Sequence, residues 1–254
     1  MMFCYFLSHL LLLLVTSLTS AAATASNQQE VSLGTTLLSI CYKDGVVVGA
    51  DTRTSVGSYV SNRYADKIAS VLNTAVICRA GSAADTQYLA ERVNAEFQAR
   101  YYRYYGGGRE KPSLSQIAYL LRSLVTESMS ASLICSGYEE GTGHIYSIAP
   151  NGSLLKEEQG FAVSGSGSTF ILGHIDNFYR KDMDEQEAID FVVNAIRLAI
   201  DRDGSSGGFV RIHVVNKDGD KVSTVFPDHN KSLKTISKKS HALAGFAAPK
   251  RNSK

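Results

Sequence analysis

The chain has 254 residues, 44% of them hydrophobic and 20% charged, a composition that supports one sizeable folded domain and excludes disorder of the whole. A formal net charge of +2 is too small to argue for a nucleic-acid face. The basic excess is uneven: no acidic residue follows Asp228, while Lys231, Lys234, Lys238, Lys239, Lys250, Arg251 and Lys254 do. That stretch is poor in bulky apolar residues, so it is expected to be disordered alone or ordered only on a partner.

In chain order, the first 26 residues hold an apolar run from Phe6 to Leu18 followed by Ala21, Ala22 and Ala23, the small residues a signal peptidase accepts. No Lys or Arg precedes that run, and it is shorter than a bilayer span. A discarded leader, a misplaced start codon and a secretory signal all fit, the last being the less favoured reading; in each the segment stands outside the fold. Residues 35–43 and 46–53 then read as strands around a hairpin signal at Asp44-Gly45. A short extended region follows between Ser58 and Leu72, and an apolar strand from Ala75 to Arg79 stops at Gly81.

Ser82 offers a helix cap, and Ala83, Leu89, Ala90, Val93 and Phe97 recur at helical spacing up to Tyr101. Past Gly106-Gly107-Gly108 and Pro112, the segment Ser113 to Ser128 repeats the pattern. Strands are expected at 132–138 and 144–149, with an extended run to Val163. Helices are expected at Phe170–Tyr179 and Asp184–Ile200, then a last strand at Phe209–Val215 and a turn at Asp218-Gly219. Strands and helices in separate groups argue for antiparallel sheets with helices packed outside, an α+β layered architecture with one core over about residues 35–228.

Cys41, Cys78 and Cys135 sit inside apolar runs without metal-ligand spacing, and together with Cys4 they read as free thiols, which argues for a reducing compartment. No His, Cys, Asp or Glu group has the spacing of a metal site, and no histidine lies in a G-x-S-x-G or H-E-x-x-H context. The loop Ser164-Gly165-Ser166-Gly167-Ser168 precedes a helix but lacks the Gly-Lys-Ser/Thr ending of a phosphate-binding loop. Polar residues at strand ends and in glycine-rich turns are the remaining candidates: Thr35, Asp51, Arg53, Lys67, Arg79, Ser166, Asp203 and Ser206. Each alone has a plain structural reading, a strand-end threonine or a surface ion pair among them.

Taken together, Gly34-Thr35-Thr36, Gly49-Ala50-Asp51-Thr52-Arg53, Asp66-Lys67, Arg79-Ala80-Gly81-Ser82-Ala83-Ala84-Asp85, Gly165-Ser166-Gly167 and Asp203-Gly204-Ser205-Ser206-Gly207-Gly208 closely resemble a catalytic beta subunit of the eukaryotic 20S proteasome. The resemblance runs from about Gly34 to Phe226. It implies a four-layer αββα sandwich of the N-terminal nucleophile hydrolase type, made as a precursor that cuts itself between Gly34 and Thr35. Residues 1–34 would then be a leader removed on maturation, 35–228 the catalytic domain and 229–254 a basic tail.

By the same resemblance Thr35 is the nucleophile of a threonine endopeptidase, Asp51 and Lys67 are the charged pair beneath it, and Ser166, Asp203 and Ser206 surround the new amino terminus. The Gly81 amide would face the oxyanion. Arg79 directly before Ala80-Gly81-Ser82 resembles the caspase-like branch, which cleaves after acidic residues. A guanidinium there would pair with a substrate carboxylate. Thr54 and Ser55 would run beside the substrate backbone, with Ala65, Ala83, Thr86 and Gln87 lining or flanking the pocket.

The implied partners are other proteasome beta and alpha subunits in a four-ring barrel and unfolded polypeptide substrates. No cofactor, metal, nucleic acid or membrane is implied, and the implied location is the cytoplasm and nucleus. Two other readings stay open: a non-catalytic ring subunit that never processes, and an N-terminal hydrolase acting on small amides.

Overall fold

The apolar runs on either side of Lys43-Asp44 pair as an antiparallel hairpin, β1 (Leu37–Tyr42) and β2 (Gly45–Asp51), and the rest of the fold is laid against it. The structure is a computed structural model that describes residues 34–57, 59–105, 111–225 and 235–238. The leader and most of the basic tail lie outside these residues, as does Cys4.

β1 also pairs with β10 (Phe161–Ser164), and β2 with β11 (Val210–Asn216). β12 (Gly219–Val225) and β13 (Thr235–Lys238) complete a six-stranded antiparallel sheet in the order β10-β1-β2-β11-β12-β13. A second sheet orders β5 (Ile68–Val71), β6 (Ala75–Gly81), β7 (Ala131–Glu139), β8 (Thr142–Ile148) and β9 (Leu154–Lys156) in sequence. β3 (Thr54–Val56) and β4 (Tyr59–Asn62) form a separate small hairpin.

Alternation along the strands explains the layering, because successive side chains leave opposite faces of a sheet. From β1, Leu38, Ile40 and Tyr42 join Phe191, Val192 and Ile196 of α4 (Glu185–Arg202) and Ile175 of α3 (Leu172–Phe178) in one apolar layer. Leu37, from the opposite face, joins Val46, Val48, Val76, Cys78 and Ile134 between the two sheets. A third layer sets Leu89, Val93 and Phe97 of α1 (Ala83–Tyr105) and Ile117 and Leu121 of α2 (Leu114–Leu124) against Ile77, Leu133 and Cys135 of the second sheet. Helices, sheet, sheet and helices in succession make the α+β, four-layer αββα sandwich. Each fully buried Leu, Ile or Val contributes roughly 1.5–3 kcal/mol through removal of apolar surface from water.

Two helices begin at the residues where the sequence starts them, each closed by a capping box. Ser113 caps α2 in a reciprocal box with Gln116, and Asp184 caps α4 in the same way with Glu187. α2 stops at Leu124, short of the expected Ser128, because Thr126–Met129 closes a turn of its own.

Three expectations shift. The β1–β2 turn residues are Lys43-Asp44, while Gly45 is already paired with Tyr42; a Cβ at Gly45 would overlap the Val215 carbonyl of β11. The β11–β12 hairpin behaves alike, with Lys217-Asp218 in the turn and Gly219, at φ +104°, paired with Asn216. Strand β12, which follows, and the four residues of β13 inside the basic tail are elements beyond those expected. Cys41, Cys78 and Cys135 are free thiols, and burial raises them, Cys41 to about 11 and Cys135 to about 12.

Candidate active site

Three strand ends meet at one end of the sandwich. Thr35 stands two residues before β1, Asp51 ends the neighbouring β2, and Lys67 directly precedes β5 of the other sheet. The Lys67 ammonium donates to Asp51 Oδ1 at 2.7 Å, to Thr35 Oγ1 at 3.0 Å and to the Gly34 carbonyl at 3.1 Å. All three of its N–H donors therefore have acceptors. The Thr35 hydroxyl in turn donates to the Gly34 carbonyl at 2.8 Å.

This cluster is buried: Thr35, Asp51 and Lys67 expose 4%, 0% and 8% of their surface. Burial pulls the Lys67 amine below its ordinary value, and the Asp51 carboxylate works against that shift. Asp51 is held rigidly, because its Oδ1 also accepts from Thr36 N at 2.9 Å and its Oδ2 from Gly207 N at 3.0 Å and Arg53 N at 3.2 Å.

A second group surrounds the Thr35 nitrogen. That nitrogen donates to Ser166 Oγ at 3.3 Å, and Ser166 donates to Asp203 Oδ2 at 2.6 Å. Ser206 donates to the same oxygen at 2.6 Å, so the Thr36 hydroxyl, 2.8 Å from Ser206 Oγ, is the donor in that pair. For Asp203, burial pushes the carboxyl up, but the Ser166 and Ser206 hydroxyls and the Ser205 and Ser206 amides outweigh it and leave the group below its ordinary value. Thr35 and Thr36 thus face opposite ways, the first toward Lys67 and the second toward Ser206.

Small residues make this convergence possible. A Cβ at Gly34 would run into Ser205, one at Gly167 into the Thr36 hydroxyl, and one at Gly165, whose φ is +88°, into the Thr35 carbonyl. Residues up to 170 positions apart are brought together because β10, β1, β2 and β11 are sheet neighbours.

Beside Thr35 opens a pocket lined by Gly34, Thr35, Thr54, Ala65, Asp66, Lys67, Arg79, Gly81, Ala83, Thr86 and Gln87. All the sequence-derived pocket residues are there except Ser55, which is buried at 7% exposure and does not line it. Arg79 Nη2 donates to the Asp66 main-chain carbonyl, and its buried Nε has no partner. Burial lowers the Arg79 guanidinium, with Asp66 the chief opposing charge. Gly81, at φ +106°, packs under the Ser130 carbonyl, where no side chain fits.

Two residues of this region have no part in the sequence reading as side chains: the Asp66 carboxylate and Arg211, which form an ion pair across the two sheets. The signal for Arg211 lies in alternation, since it shares a strand face with His213 and Val215, where apolar residues are the rule. Among the described residues no group of three or more His, Cys, Asp or Glu could hold a metal ion.

Comparison with known proteins places the chain in a family. A family model described as proteasome subunit matches residues 31–215. The probable proteasome subunit beta type-1 of Schizosaccharomyces pombe is 42% identical over 199 residues, 77% of this chain and 85% of that protein. The proteasome subunit beta type-1 of Saccharomyces cerevisiae is 38% identical over 208 residues, covering 80% and 94%. The beta type-6 subunit of Dictyostelium discoideum is 37% identical over 195 residues, covering 74% and 87%. With the family model covering most of the folded domain and relatives of this similarity matched over most of their length, the chain belongs to the proteasome beta subunit family.

Proposed function

We propose that this chain is a threonine endopeptidase subunit of the 20S proteasome core that cleaves after acidic residues, with Thr35 as nucleophile once the Gly34–Thr35 bond is cut. The observation that carries the reading is the Lys67 ammonium 3.0 Å from Thr35 Oγ1, buried and anchored on Asp51. A scaffold subunit has no use for a buried lysine aimed at a threonine hydroxyl.

In the uncut chain the Thr35 nitrogen is an amide and cannot act as a base. Lys67 donates to the Gly34 carbonyl, the bond to be broken, and would stabilise negative charge developing on that oxygen as Thr35 Oγ adds to the carbon. Collapse breaks the Gly34–Thr35 C–N bond, the Oγ proton ends on the departing nitrogen as the bond breaks, and an ester is left on Oγ. Water hydrolyses the ester, which releases the leader acid and a free α-amino group. That amine, with an ordinary pKa of about 7.7–8.0, suits a general base at neutral pH.

In turnover the amine takes the Oγ proton as Oγ attacks the substrate carbonyl, the proton passes to the departing amine, and water then hydrolyses the acyl ester to release the acid and restore the hydroxyl. Lys67 favours the alkoxide and the neutral amine. The Gly81 N–H would hold the oxyanion, a contribution of about 3–4 kcal/mol in comparable sites. Ser166, Asp203 and Ser206 would orient the amine that excision creates. Arg79 at the pocket would pair with the acidic side chain.

Proteasome subunits work in assembly with other subunits. For this one we infer beta and alpha neighbours in a four-ring barrel, unfolded polypeptide substrates and a place in the cytoplasm and nucleus. No described helix is long and apolar enough to cross a membrane. The test is Thr35→Ala in assembled particles. Loss of hydrolysis of acidic-ended peptides with assembly intact supports the reading, and unchanged hydrolysis assigns the chain to the non-catalytic ring subunits.

A further inference from the structure

A pocket meant for an acidic side chain should not present an acid of its own, yet Asp66 lines it beside Arg79, with half of its side chain exposed. Left free, that carboxylate would neutralise Arg79 and repel the substrate. The structure engages it elsewhere. Asp66 Oδ2 pairs with Arg211 Nη1, and Asp66 Oδ1 accepts from Ile68 N at 3.1 Å. The Arg79 guanidinium hydrogen-bonds the Asp66 main-chain carbonyl and forms no ion pair, so the Asp66 carboxylate acts on its charge from a distance while bound to Arg211.

Arg211 is placed for this task. It stands near the start of β11, in register with Ala50 of β2, and its side chain is four-fifths buried as it reaches from the first sheet to the second. With the Lys67–Asp51 pair balanced within itself and Glu91 the weakest influence on Arg79, the three charges of Arg79, Asp66 and Arg211 sum to one net positive charge. Without Arg211 they sum to zero, and with Asp66 also neutral the positive charge returns.

We propose that Arg211 is a specificity-determining positioning residue, which holds and neutralises the Asp66 carboxylate so that the charge of Arg79 is left for an acidic substrate side chain. Arg211 does not touch the substrate; it acts through Asp66. The inference rests on the acid-cleaving function proposed above, and it adds a residue outside the pocket to the determinants of that preference.

The experiment uses assembled particles carrying full-length variants and two fluorogenic peptides, one ending in Asp and one in Leu, with Thr35→Ala particles as background. If the wild type shows no Thr35-dependent cleavage of the Asp peptide, the acid-cleaving reading itself fails, whatever Arg211 does. With that cleavage present, Arg211→Met should raise KM for the Asp peptide about tenfold at low salt, with kcat and the Leu peptide nearly unchanged. The Asp66→Asn/Arg211→Met pair should return that KM to within about twofold of wild type, as expected when both members of a charge pair are removed.

A fall in kcat on both peptides with an unchanged Asp-to-Leu ratio would show Arg211 to be only a bridge between sheets, and would overturn the proposal. Should Arg211→Met particles not form, Asp66→Asn alone decides. It leaves Arg211 in place and should lower KM for the Asp peptide about two- to threefold; a rise overturns the proposal.

Discussion

Lys67 and Thr35 come from different sheets, and the lysine ammonium lies 3.0 Å from the threonine hydroxyl while its two other donors engage Asp51 and the Gly34 carbonyl. In the proposed mechanism one lysine thus contacts both the nucleophile and the bond to be broken. Departure of Gly34 would release that third donor for use in turnover.

Lys67→Met should therefore abolish both leader removal and peptide hydrolysis. The expected loss in kcat is at least 100- to 1000-fold, the scale of about 3–4 kcal/mol for a group that stabilises charge in the transition state. Mass spectrometry of the assembled subunit, with peptide assays, checks both outcomes. Removal of the leader at a normal rate would show that Lys67 has no part in excision.

Gly34→Val should block excision even though the nucleophile is intact. A side chain at this position meets Ser205, whose N–H donates to Asp203 Oδ1 at 3.0 Å and which adjoins Ser206, the donor to Asp203 Oδ2. The variant should retain its leader in assembled particles, read as intact mass. Normal trimming would show that the close contact with Ser205 is not required.

Arg79→Met should remove the preference for acidic ends without stopping chemistry, because the Arg79 side chain lines the pocket without a hydrogen bond to Thr35 or Lys67, while its main-chain N–H, which donates to the Lys67 carbonyl at 2.9 Å, is kept in the variant. KM for Asp-ended peptides is expected to rise by about 10- to 100-fold, as for loss of one charge-assisted pair, while Leu-ended peptides improve. Parallel KM measurements on the two peptides give the answer.

Stability should fall in acid partly through Asp203. Its carboxyl titrates below its ordinary value, so its stabilising contribution is fully present above the unfolded value of 3.8 and is lost as pH falls through the lower folded value. Asp203→Asn should flatten the Tm-against-pH curve below about pH 4 and lower Tm at pH 7. An unaltered slope between pH 5 and 2 would contradict this assignment.

Much of the architecture was legible because its elements obey simple periodicity. Leu38, Ile40 and Tyr42 alternate with Leu37, Ser39 and Cys41, and Ser113 and Asp184 mark helix starts by their capping chemistry. β12 escaped because only Val222 and Val225 are apolar in GDKVSTV, so the strand carries little hydrophobic signal and is defined by pairing with β11. Gly45 and Gly219 misplaced their turns by one residue: glycine marks a close approach of backbones as readily as a turn, and only the fold shows the Val215 carbonyl above Gly45.

For the site, single residues said little. Ser206 reads as a plain turn residue until Asp203 and Thr36 are beside it, and those contacts depend on sheet order, not on spacing. The motifs in series identified the set, and resemblance supplied the roles. The Asp66–Arg211 pair was not legible because its partners are 145 residues apart and belong to no shared motif.

The central claim is that the working nucleophile is a chain-terminal threonine made by excision. Its most direct test is the intact mass and N-terminal sequence of this subunit from particles active on acidic-ended peptides. Thr35 as the first residue is the predicted result. A subunit that begins upstream of Thr35 in fully active particles, so that no free amine adjoins the Thr35 hydroxyl, would contradict it.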